Sequence, residues 1–139
     1  MDRQLPFPLG LYEKAFPDDC SWHDRLSITK QAGFDFVEMS IDESDWRFAR
    51  LDWGSKERNA LLQDMADTGV SINSMCLSIQ RRFPLGSSSA STRRQSLDIL
   101  KKAIDLALAA HIKVILVPGY DVFYEESDDG TQARFLEGL

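Results

Sequence analysis

Four short apolar runs, each but the last followed by a stretch of helical periodicity, constrain this chain more than any other feature. They begin near residues 8, 35, 71 and 113. Pro8-Leu9-Gly10-Leu11-Tyr12-Glu13 reads as a strand, because Pro6 and Pro8 exclude a helix there. Phe34 to Ile41 and Val70 to Leu77 follow, then the near-continuously apolar Lys113-Val114-Ile115-Leu116-Val117, which suits a parallel strand buried on both faces. Helices joining successive strands force parallel pairing, since each connection must cross back over the sheet.

The helical stretches carry their own punctuation. Ser21 with Asp24 forms a capping-box-like start, Trp22, Leu26, Thr29 and Ala32 share a face, and Gly33 ends that helix. Arg47 to Trp53 reads as a long connection containing a helical turn. A second helix spans about Ser55 to Thr68, with Leu61, Leu62, Met65 and Ala66 as its buried face and Gly69 as its stop. A third spans about Ser91 to Ala110, where Leu97, Leu100, Ile104 and Leu108 recur at helical spacing beside Ala103 and Ala107. Residues 128 to 139 read as the first turns of a fourth. Two architectures satisfy this α/β pattern: an open doubly wound sheet, or half of a (β/α)8 barrel.

At 139 residues the chain can build one core, so we expect a single partial domain over 1–139. A net charge of −6, with one basic cluster at Arg81, Arg82, Arg93 and Arg94, argues against nucleic acid and suits a small anion. Two cysteines, Cys20 and Cys76, make no disulfide framework or zinc knuckle. With no signal peptide or long apolar segment, the expected setting is cytoplasmic, without membrane association.

In either architecture, ligands bind where strands end. The candidates are therefore Tyr12 and Glu13, Glu38 to Asp42, Ser78 to Arg82, and Tyr120 with Asp121. Arg81 and Arg82 follow a buried strand directly and could grip a phosphate, whose oxygens match the planar guanidinium fork. Glu13 could instead pair with a nearby Arg or Lys. Glu38, inside an apolar strand, needs a partner or a polar interior. Cys76 needs no role beyond packing, and His23 and His111 lie on or at the ends of helices, away from the strand ends. No nucleotide-binding, hydrolase or metalloprotease motif is present in the sequence.

Taken together, Pro8-Leu9-Gly10-Leu11-Tyr12-Glu13-Lys14, Gly33-Phe34-Asp35-Phe36-Val37-Glu38-Met39-Ser40, Ser74-Met75-Cys76-Leu77-Ser78, Arg81-Arg82-Phe83-Pro84-Leu85-Gly86-Ser87 and Gly119-Tyr120-Asp121-Val122 resemble the L-ribulose-5-phosphate (L-xylulose-5-phosphate) 3-epimerases. One departure is Ile79-Gln80, where that family carries Ala-His. The resemblance implies a TIM barrel about twice this length, of which this chain is the N-terminal half: four parallel strands and three complete helices. It also implies a divalent-metal-dependent (zinc or similar) epimerisation at C3 of a ketopentose phosphate, in L-ascorbate and pentose catabolism. The metal ligands and both catalytic glutamates of that family follow the later strands, so the resemblance assigns no catalytic or metal-binding residue to this chain. It leaves a substrate and phosphate grip of Tyr12, Glu13, Ser78, Arg81, Arg82 and Tyr120, with Tyr124 beside them. The expected partners are a small sugar phosphate and either a second copy or a complementary half-barrel.

Overall fold

In the computed structural model, which describes residues 6–139, four strands pair in parallel in the order of their appearance: β1 (Gly10–Tyr12), β2 (Phe36–Ser40), β3 (Ser71–Cys76) and β4 (Val114–Leu116). This order decides between the two architectures. A doubly wound sheet reverses direction at a switch point, whereas a barrel adds each strand beside the last. With every right-handed crossover moving the same way, the helices gather on one side of the sheet.

The connections hold α1 (Trp22–Gln31), the single turn α2 (Asp45–Phe48), α3 (Ser55–Thr68) and α4 (Ala90–Ala109), with α5 (Thr131–Gly138) after β4. The Ser21 hydroxyl accepts from Asp24 N at 3.1 Å, so α1 starts where the capping pattern placed it. Gly33 and Gly69 both take positive φ, 80° and 71°, and each ends the helix before a strand. Arg47 to Trp53 contains α2 and a 3-10 turn over Ala49–Asp52.

Strand alternation sorts the side chains into two faces. Val37, Met39, Ile72 and Met75 turn toward the helices and are fully buried, joined there by Leu26, Leu61, Ile99, Ala103 and Leu106. The opposite face presents Tyr12, Glu38, Ser40, Ser74 and Cys76, a largely polar row that runs across the sheet register. Glu38 finds its partner here: Ser74 Oγ donates to its Oε2 at 2.7 Å.

Three burial expectations change. On α4 the buried positions are Ser96, Ile99, Ala103, Leu106 and Ala107, while Leu97, Ile104 and Leu108 are exposed. The sequence carries apolar residues on two adjacent stripes of this helix, and periodicity alone could not say which one meets the sheet. On α3, Leu61 is buried and Leu62 and Met65 are half-buried, but Ala66 is exposed. On β4, Val114 and Leu116 are 55% and 46% exposed, because the face away from the helices has nothing packed against it among the described residues.

Candidate functional site

At the carboxyl end of β1 and β2, charge is internally satisfied. Glu13 is completely buried, and three groups converge on its carboxylate. Arg47 Nε donates to Oε1 at 3.0 Å, while Arg50 Nη1 and the backbone N–H of Ser40 donate to Oε2 at 2.5 and 2.7 Å. Arg47 also bonds Asp18 at 2.8 Å and Asp42 at 3.3 Å, and Lys14 Nζ meets Asp42 at 2.6 Å. The ring of Trp46 lies 4.1 Å from the Arg47 guanidinium carbon and 4.8 Å from that of Arg50, and Trp22 lies 5.0 Å from Arg50.

Burial opposes the charge on both arginines. It pulls Arg50 down, while Glu13 and the neighbouring aspartates leave Arg47 raised. Burial would also raise Asp42, but hydrogen bonds from Lys14 and Ser44 hold its carboxyl at about 2. Glu13 therefore does not face a ligand. Of its two readings, the ion pair with Arg is the one the structure forms, because both carboxylate oxygens are held by donors from the protein itself.

At the carboxyl end of β3 and β4 the arrangement is different. A 3-10 turn over Ser78–Arg81 begins immediately after β3. The segment after β4 folds over it as a strap: Arg81 Nε donates to Tyr120 Oη at 3.3 Å, and the Arg81 guanidinium lies 5.2 Å from the Phe123 ring. Tyr120, Phe123 and Tyr124 pack in sequence, with ring centroids 5.0 and 4.9 Å apart. The Tyr124 hydroxyl reaches across to Glu43 Oε2 at 3.1 Å. Gly86 N donates to Asp121 O at 3.0 Å, and a Cβ there would come within 2.5 Å of that oxygen, so only glycine lets the two loops meet.

Arg81 and Arg82 are both exposed, and neither forms an ion pair among the described residues. Arg82 stacks on Phe83 at 5.7 Å. Ser78 is buried, and its hydroxyl has no partner among the described residues. Tyr12 opens onto the polar sheet face, where its hydroxyl donates to Ser40 Oγ at 3.0 Å. Cys76 lies on that same face; burial, then the charge of Glu38, push its thiol up, which leaves it a poor nucleophile. Burial likewise pushes the Tyr12 and Tyr120 hydroxyls up, with Arg81 pulling back on Tyr120.

The structure thus joins Arg81, Tyr120 and Tyr124 in one cluster, sets Tyr12 on the open sheet face, and withdraws Glu13. It adds Glu43 and Phe123, which the sequence did not single out. The Arg47–Arg50 pair was legible as a spacing of three residues flanked by Trp46 and Trp53, a pattern more often solvated than buried. Among the described residues, no three His, Cys, Asp or Glu side chains gather as a metal-ligand group. None of the helices formed by these residues is long and apolar enough to cross a membrane.

The chain is similar to known proteins in sequence and in fold. Two curated relatives, the L-ribulose-5-phosphate 3-epimerases UlaE of Salmonella paratyphi B and Salmonella enteritidis, are each 53% identical over 132 residues, 95% of this chain and 46% of theirs. The chain thus spans about half the length of the curated relatives it matches. Among solved structures, a D-psicose 3-epimerase determined in the presence of D-fructose superposes with a TM-score of 0.74 at 16% identity, over 95% of this chain and 46% of that one. An L-ribulose 3-epimerase gives 0.65 at 20% identity, over 94% and 43%. These two likenesses concern the fold, and the sequential parallel sheet is what they share. The model of the xylose isomerase-like TIM barrel family matches residues 26–139, from α1 to the last residue. The chain belongs to the xylose isomerase-like TIM barrel family, as the N-terminal half of such a barrel.

Proposed function

We propose that this chain provides the substrate- and phosphate-binding half of a ketose-phosphate 3-epimerase, acting at C3 of L-xylulose 5-phosphate or L-ribulose 5-phosphate in L-ascorbate and pentose catabolism. The observation that carries this reading is the Arg81–Arg82 pair. It stands at the carboxyl end of β3, exposed and without a carboxylate partner, within a stretch 53% identical to named L-ribulose-5-phosphate 3-epimerases. Two guanidinium groups and the Tyr120 hydroxyl supply charge-assisted donors for a phosphate. Ser78 follows β3 by two residues and Tyr12 ends β1 on the open sheet face, and on this reading both would contact the sugar.

Inverting C3 requires a proton to leave one face of the carbon and another to arrive on the opposite face. By family resemblance a divalent metal would stabilise the intermediate charge. The described residues do not fit such an ion, since no ligand group converges among them. The role of this chain's residues is to bind and orient the sugar phosphate. The setting of such a reaction is the cytoplasm.

The test is phosphate-dependent thermal stabilisation. Inorganic phosphate and a ketopentose phosphate are expected to raise Tm, and Arg81→Ala with Arg82→Ala to remove the rise. A rise that survives the double substitution overturns the reading. Turnover of L-xylulose 5-phosphate by the 139-residue protein in added zinc would overturn the restriction to binding.

A second reading, as an association module, is favoured by one observation. Val114 and Leu116 on the open sheet face, and Ile104 and Leu108 on α4, are large apolar side chains between 45% and 71% exposed. A second copy or a complementary half-barrel would cover them. A molar mass independent of concentration in light scattering counts against it.

A further inference from the structure

The segments beyond β2 and β3 hold polar atoms that are buried and have no hydrogen-bond partner among the described residues. Glu43 Oε1 is one, and Ser78 Oγ and Gln80 Nε2 are two more. A 2.9 Å hydrogen bond from Ile79 N to Ile41 O fastens the two segments side by side. Leaving one buried polar atom unpaired costs about 1–3 kcal/mol, so such atoms call for a partner from solvent or ligand.

The chemistry of the three is complementary. A carboxylate oxygen accepts, an amide nitrogen donates and a hydroxyl does both, and each can pair with a hydroxyl group of a ligand. The exposed rings of Phe123 and Tyr124 stand beside Glu43 and offer apolar faces to the C–H side of a sugar. A purely structural Glu43, anchoring the strap through Tyr124, accounts for Oε2 and leaves Oε1 unexplained.

We propose that Glu43 is a specificity-determining contact: its Oε1 accepts a hydroxyl hydrogen of a polyol phosphate whose phosphate lies on Arg81 and Arg82. The inference rests on the phosphate reading above. It carries a second consequence, because a carboxylate within electrostatic range of Arg81 repels a bare phosphate dianion. Glu43 therefore selects twice, by attraction to the hydroxyl and by repulsion of an anion that has none.

The test titrates the protein with L-xylulose 5-phosphate and, separately, with inorganic phosphate. Glu43→Gln keeps the size of the side chain and an acceptor for Tyr124. It is expected to weaken the sugar phosphate about tenfold while leaving inorganic phosphate unchanged or tighter. Tyr124→Phe removes only the hydroxyl that orients Glu43, and should move the same ratio the same way by about threefold. If Glu43→Gln leaves both affinities unchanged, or lowers both equally, the assignment of Glu43 is overturned. Arg81→Ala with Arg82→Ala, run alongside, separates the two ideas. Loss of both ligands there, with a silent Glu43→Gln, removes Glu43 alone; no loss there removes the phosphate reading itself.

Discussion

Two clusters of arginine stand at the same end of the sheet, about one strand apart, and they are built in opposite ways. Under β1 and β2, Arg47 and Arg50 are buried, stacked on tryptophan and bonded to Glu13, Asp18 and Asp42. Beyond β3, Arg81 and Arg82 are exposed and lean on Tyr120, Phe123 and Phe83 without a direct ion pair among the described residues. A charge already paired inside the protein has little left for a ligand, and breaking it costs stability. A charge resting on an aromatic edge remains available, and its removal costs the fold little. The contrast separates the scaffold from the proposed site.

Substitutions can break or sharpen that contrast. The largest effect on stability is expected from Arg50→Met, which strips a partner from a wholly buried carboxylate and should cost about 3–5 kcal/mol in urea unfolding. Phosphate affinity of the molecules that remain folded should not change. Gly86→Ala comes next. It drives a methyl group to within 2.5 Å of Asp121 O and 2.9 Å of Thr131 O, costing about 1–3 kcal/mol and prising the strap from the turn after β3. Calorimetry reads the cost, and fluorescence of the Tyr120–Tyr124 segment reads the displacement.

Acid titrates the scaffold selectively. The Asp42 carboxyl is held at about 2 against an ordinary 3.8, so its contribution is complete above pH 4 and disappears as pH falls toward 2. On the order of 2 kcal/mol should be lost across that window, and Asp42→Asn should flatten the slope there. The smallest stability effect belongs to Arg81→Ala with Arg82→Ala, within about 0.5 kcal/mol. If that pair destabilises the fold as much as Arg50→Met does, the distinction between the clusters is lost.

Much of this was legible in the sequence. Alternating strands and helices gave the parallel sheet, Ala32-Gly33 and Thr68-Gly69 marked the chain reversals, and the Arg81–Arg82 pair announced a cationic strand end. The order of strands was not legible, because local patterns are the same in a barrel and in a doubly wound sheet; the family resemblance, and then the register, decided it. The face of α4 was misplaced because Leu97, Ile104 and Leu108 are as apolar as the buried stripe, and only the position of β4 selects between them. Glu13 had two readings because a carboxylate at a strand end suits a ligand or an arginine equally well. The partner that settles it, Arg50, is 37 residues away. The strap was hidden for the same reason: Tyr124 and Glu43 are 81 residues apart.

Because each strand pairs with the one made just before it, the sheet can grow in the direction of synthesis. β1 waits only for β2, β2 for β3 and β3 for β4, and the buried charges around Glu13 are all translated once Arg50 has emerged. The strap, which needs residue 124, comes after all four strands. A ribosome-bound chain can therefore complete its four-stranded scaffold before the strap over Arg81 exists.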